Sequence, residues 1–106
     1  MILGKLRISI VSVTLVLSSM DVALSTGIAS EGEKIAVQWC ASCHIVSEDQ
    51  ETALADAPSF KHIASRYESR LAAFGAYLAD PHPAMPNLSL TRSEIQDLLA
   101  YIGSLK

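Results

Sequence analysis

A chain of 106 residues with eight Lys/Arg, eleven Asp/Glu and a net charge of −3 has room for one domain. It offers no basic patch to neutralise phosphates, which argues against nucleic acid as a partner. Its acidity suits a protein partner with a positive docking surface instead.

The N-terminus reads as a leader. Lys5 and Arg7 lie in a short basic lead, residues 8–17 form an uncharged and mostly apolar run, and Gly27-Ile28-Ala29 places small side chains where a signal peptidase inspects them. Asp21 interrupts the apolar stretch before the roughly 20 residues that a membrane-spanning helix needs. Residues 1–29 are therefore expected to be a signal peptide, with an uncleaved membrane anchor as the rival reading. Residues 30–106 would then be a secreted, soluble domain with no stable membrane insertion. They carry six Lys/Arg against ten Asp/Glu.

Glu31 to Trp39 reads as a helix, with Ser30 as a candidate N-cap and acidic residues in the first turn. Residues 46–56 are polar, acidic and aperiodic, as in a loop. Ala57-Pro58 is extended or a turn, because a proline disfavours helical backbone in the residue before it. Ser59 to Arg66 suits a short helix. Glu68 to Leu78 suits a longer one, with Leu71, Phe74 and Leu78 at helical spacing. Three prolines at 81, 83 and 86 exclude regular helix from the strap that bears His82 and Met85. Thr91 and Glu94 form a capping box for a last helix whose apolar face is Ile95, Leu98, Leu99 and Ile102. No strand is predicted. The expected class is all-α.

The chain has two cysteines, Cys40 and Cys43, and His44 follows the second directly. Cys-x-x-Cys-His is the pattern of covalent haem attachment. Two thiols at this spacing can add to the two vinyl groups of one haem, and the adjacent histidine then lies beneath the ring with a nitrogen free for iron. A domain this small also gains an apolar centre from a buried haem, which its own side chains supply only thinly. Three rival readings remain: a disulfide, a thiol redox pair, and a zinc site built from Cys40, Cys43, His62 and His82. The redox pair belongs beside a βαβ pattern, which is missing from this sequence. For the second axial position, Met85 is the one methionine left after residue 29, and Pro83 and Pro86 stiffen its strap. His62 and His82 are the competing ligands. Histidine with methionine raises the reduction potential and closes the iron, which suits electron transfer.

Together these residues resemble class I cytochrome c over almost all of residues 30–106. Gly32-Glu-Lys-Ile-Ala36-Val-Gln-Trp-Cys40-Ala-Ser-Cys43-His44 is similar to that family's N-terminal helix running into the haem site, and Glu94 to Ile102 to its closing helix. The resemblance implies the cytochrome c fold, with the two terminal helices crossing at Gly32, where Ala36, Leu98 and Tyr101 pack, and with loops around one covalent haem c. It implies that the Pro58 carbonyl accepts a hydrogen bond from His44 and that Met85-Pro86 is the distal ligand motif. Ala57 stands where the family often has glycine. Trp39 does not fill the family's place for a tryptophan near a haem propionate, which leaves Lys61, Arg66, Tyr67 and Arg70 as candidates. Tyr77 either approaches the haem near Met85 or is ordinary helix packing.

The expected function is that of a periplasmic single-electron carrier and not an enzyme. Its partners would be transient redox proteins, a donor such as a quinol-oxidising complex and an acceptor such as an oxidase or reductase. The alternative is a haem-based ligand sensor or peroxidase-like protein in which Met85 dissociates.

Overall fold

The structure is a computed structural model and describes Gly4, residues 27–81 and residues 84–106. Most of the expected leader, together with His82 and Pro83, lies outside the described residues. Helix α1 spans Ala29–Ile35 and continues without a break into a π-helical turn at Ala36–Cys40. Its signature is the bond from the Ala41 N–H to the Ala36 carbonyl, 3.0 Å, which puts one extra residue in the turn. The turn hands over directly to the cysteine motif, where the Cys43 and His44 N–H groups both donate to the Cys40 carbonyl.

The helix begins earlier than expected. Ser30 lies inside α1, and Ile28 occupies the N-cap with no side-chain hydrogen bond. What fixes this start is a contact distant in sequence: the Ile28 N–H donates to the Asp97 carboxylate at 2.7 Å. A cut after Ala29 would remove that bond and the first residue of α1.

Helix α2 spans Phe60–Arg66, and its N-cap Ser59 accepts from the His62 N–H at 3.1 Å. Helix α3 spans Leu71–Ala79. It starts later than the apolar spacing suggested because residues 67–69 form a turn, closed by the Arg70 N–H on the Tyr67 carbonyl at 2.7 Å. Helix α4 spans Arg92–Gly103, and the predicted capping box is formed in both directions: Glu94 N–H to Thr91 Oγ1, 3.1 Å, and Thr91 N–H to the Glu94 carboxylate, 2.7 Å. Of its expected apolar face, Leu98, Leu99 and Ile102 are buried and Ile95 is half-buried at the edge. There is no strand among the described residues, and no helix among them is long and apolar enough to cross a membrane.

The most extensive helix interface is α1 on α4. Gly32 is buried there, and a Cβ at this position would overlap the Asp97 carbonyl, so the two backbones touch. Ala36, also fully buried, and Leu98 lie in the core. Tyr101 is buried one turn beyond the Asp97–Leu98 contact, donating its hydroxyl to the Val46 carbonyl at 2.6 Å. Helix α4 is thereby tied to the start of α1 at one end and to the segment after His44 at the other.

This contact predicts the outcome of Gly32→Ala. Alanine gains about 1 kcal/mol over glycine in helix propensity. Forcing a methyl into a backbone contact costs more, so a net loss of about 2 kcal/mol is expected in urea unfolding.

Candidate functional site

Between α2, α3, α4 and the strap lies an open cavity. Its walls are mostly aliphatic and aromatic: Phe60 and Ile63 from α2, Phe74 and Leu78 from α3, Leu98 and Ile102 from α4. Into it face the groups that matter chemically. Cys40, His44, Pro58 and Met85 all line it, from three separate stretches of chain. Cys43 is half-buried and is not among the lining residues; its sulfur meets Ser42 Oγ at 3.8 Å.

His44 is held from both sides. Its ring Nδ1 is 2.5 Å from the Pro58 carbonyl oxygen. A carbonyl only accepts, so Nδ1 carries the proton and Nε2 is left as the free lone pair. The ring packs edgewise on Phe60, with centroids 5.4 Å apart, and Phe60 in turn packs on Tyr101 at 6.4 Å. Loop 45–59 is folded back onto the motif by the Leu54 N–H on the Ser42 carbonyl, 2.8 Å, and the Phe60 N–H on the Ile45 carbonyl, 2.9 Å. That return places Pro58 against His44 although fourteen residues separate them.

Met85 is half-buried and packs against the core cluster. The chain after it is shaped by an Asn87 side chain that accepts the Ser89 N–H at 2.9 Å, with Ser89 in the left-handed region at φ 53°. His62 also lines the cavity, whereas His82 lies outside the described residues. Of the four residues weighed as polar contacts for a cofactor, Arg66 and Tyr67 line the cavity. Lys61 is 3.6 Å from Glu48, and Arg70 lies 5.6 Å over the Tyr67 ring. Trp39 is 55 % exposed and takes no part in the lining. Tyr77 does both things considered for it: it lines the cavity and packs with Phe74 at 6.0 Å and Tyr67 at 6.4 Å.

The electrostatics weigh against Cys40 as a redox nucleophile. Burial pushes the Cys40 thiol up to about 11, and the neighbouring Cys43 adds to the shift. Such a thiol stays protonated at neutral pH, the reverse of the lowered thiol a catalytic redox pair requires. Among the described residues, no three His, Cys, Asp or Glu side chains converge to hold a metal ion.

One residue of the site had no signal in the sequence. Gln50, in the acidic loop, accepts the Val46 N–H at 2.9 Å and donates to the carbonyls of Ala41 and His44, both at 2.8 Å, and of Thr52 at 3.1 Å. Only the folded loop brings these groups to one side chain.

An apolar cavity on an all-α frame, with a Cys-x-x-Cys-His segment along its wall, is the arrangement of a c-type cytochrome, and the chain belongs to the cytochrome c family, whose model matches residues 29–106. The expected class I resemblance and the all-α fold both hold, and the cofactor is covalently bound haem c. Among characterised proteins it is similar to cytochrome c-552 of Bradyrhizobium diazoefficiens, 45 % identical over 91 residues, which cover 86 % of each chain. No solved structure is a significant match. Family and relative together define a haem-based electron carrier.

Burial also raises the pKa of the Tyr101 hydroxyl, with Glu33 and Asp49 adding to the shift. The unfolded chain therefore loses this proton more readily than the folded one. The stability Tyr101 contributes is complete below its ordinary value near 10 and is lost as pH rises through the folded-state pKa. Tyr101→Phe is expected to flatten the alkaline limb of a stability–pH profile. At neutral pH it should cost about 1 kcal/mol, because the Val46 carbonyl loses its buried donor.

Proposed function

We propose that this protein is a periplasmic single-electron carrier whose haem is attached through Cys40 and Cys43 and ligated by His44 and Met85. The observation that carries the reading is the orientation of His44: Nδ1 donates to Pro58 while the ring stands in the wall of a cavity that Met85 also lines. That hydrogen bond selects one tautomer, makes Nε2 the ligating atom and increases its basicity.

Haem supplies an iron that cycles between two oxidation states. The chain's part is to keep that cycle cheap. His44 is fixed by Pro58 and by Phe60 against its ring, so the proximal ligand has no freedom to swing when the charge changes. Met85 offers a neutral, polarisable sulfur on a strap stiffened by Pro86. The hydrophobic wall excludes water and favours the less charged, reduced state. Arg66 and His62, the basic side chains of the lining, are the natural partners for the haem carboxylates.

Residues 1–29 are proposed to be a secretion leader removed on export. Haem attachment of this kind is completed outside the cytoplasm, so leader and motif call for the same compartment. Intact mass of protein from a periplasmic extract tests this directly, with residues 30–106 plus one haem expected. Partners are proposed to be donor and acceptor proteins that dock transiently through a small interface.

The visible spectrum of the purified protein tests the axial ligands. A weak long-wavelength band in the oxidised form reports the methionine sulfur. Met85→Ala is expected to keep its haem, lose that band and shift to lower potential. A variant with the native spectrum would remove Met85 as ligand. Carbon monoxide binding to the reduced native protein at neutral pH would favour the sensor or peroxidase-like reading.

Replacing Cys40 and Cys43 by alanine together is expected to abolish haem that survives denaturing gel electrophoresis. It should also leave the chain largely unfolded by circular dichroism, since the cavity then has no occupant to pack against.

A further inference from the structure

We infer that Gln50 is a positioning residue for the haem-attachment segment, holding the backbone of residues 41–46 in the shape that presents His44 to the cofactor. The inference rests on the haem-attachment reading above and adds a residue to it.

The primary amide of Gln50 faces backbone groups on both sides of the second cysteine and its histidine. Ala41 precedes them, His44 is the proposed ligand itself, and Val46 follows. Oε1 takes the Val46 N–H, and Nε2 gives its two hydrogens to the carbonyls of Ala41, His44 and Thr52, so one hydrogen is shared. The partners also fix which end of the amide is which, because an N–H can only donate and a carbonyl can only accept. Three bonds at 2.8–2.9 Å from one half-buried side chain brace the hexapeptide 41–46, and a fourth ties it to Thr52.

His44 is consequently gripped at two points. Pro58 holds its ring at Nδ1, and Gln50 holds its main-chain oxygen. Tyr101 adds a third restraint two residues on, at the Val46 carbonyl, while Gln50 takes the N–H of the same residue. The direction of the ring relative to its backbone is then set by bonds from three parts of the chain.

Glutamine is the side chain that meets these demands. Glutamate can accept from Val46 but turns a carboxylate oxygen toward three carbonyl oxygens. Asparagine has both functions and is one methylene too short. Leucine fills the space and leaves a buried N–H and carbonyls without partners.

The test uses holoprotein made with an active cytochrome c maturation system: native chain, Gln50→Glu, Gln50→Leu and, as a control from the same loop, the exposed Glu51→Gln. Hydrogen exchange at residues 41–46 is expected to accelerate at least tenfold in both Gln50 variants, together with a shifted reduction potential and an altered haem spectrum. A simple loss of loop packing would speed exchange and leave the potential in place. If haem incorporation is too low for those readings, its loss in the Gln50 variants with normal incorporation in Glu51→Gln supports the same role. Native potential and native exchange rates in both Gln50 variants would overturn it, as would an equal loss of incorporation in Glu51→Gln. Native chain without haem would instead sink the attachment reading itself.

Discussion

The contact between the α1 and α4 backbones at Gly32 and Asp97 sets the geometry of the molecule. Two helices that touch at their main chains have a fixed separation and crossing point, since no side chain lies between them to adjust. The polypeptide leaves α1 through the π-helical turn and enters the cysteine motif at once, so the position of Cys40 follows from the crossing. Leu98 and Ile102, on the far side of the same α4 segment, form one wall of the cavity. The helix that anchors the N-terminus therefore also lines the site. In the uncut chain Asp97 contributes twice, through its carbonyl at Gly32 and its carboxylate at the Ile28 N–H.

From that frame the cavity is built by short pieces of chain, none of which would be stable alone. Helices α1, α2 and α3 have seven, seven and nine residues, well below the length at which an isolated helix persists in water. The apolar faces of α2 and α3 point into the cavity and pack on α4, while α1 is held by its contact with α4. A covalently held haem supplies the centre of this core, which a domain so small cannot build from its own side chains alone. The aromatic series His44, Phe60, Tyr101 links the histidine of the motif to the α4 anchor through direct contact.

What the sequence disclosed and what it concealed divide along the range of the interactions. The α4 capping box, the Ser59 start of α2 and the apolar stripe of α4 depend on residues a few positions apart, and all are legible as pattern. The Cys40, Cys43 and His44 motif is legible because all of it lies within five positions. The start of α1 was misread at Ser30 because local preference for a serine cap loses to Asp97, 69 residues away from Ile28. The start of α3 was placed too early because helical spacing in Leu71, Phe74 and Leu78 says nothing about a turn at 67–69. That Arg66 and Tyr67 line the cavity while Lys61 meets Glu48 and Arg70 lies over the Tyr67 ring depends on how α2 and the turn after it are oriented. Gln50 was invisible altogether: its partners are main-chain groups, which every residue possesses and no sequence pattern marks.

The loop that hides Gln50 also reconciles two demands that compete on a small electron carrier. Its interior must be uncharged and firm where it supports His44, while its outer face must remain charged if partners are to find it by long-range attraction. Glu48, Asp49 and Glu51 are exposed, and the neutral Gln50 between them turns inward. Ion pairing does little to cancel the outer charge. The Glu48–Lys61 contact is long and exposed at both ends, so its contribution is small, on the order of 1 kcal/mol or less. The negative field persists inward far enough for Glu33 and Asp49 to raise the Tyr101 hydroxyl pKa further. An acidic face of this kind accelerates encounter with a positively charged surface and weakens as salt screens it. One uncharged residue at position 50 lets the same loop hold the site on one side and advertise charge on the other.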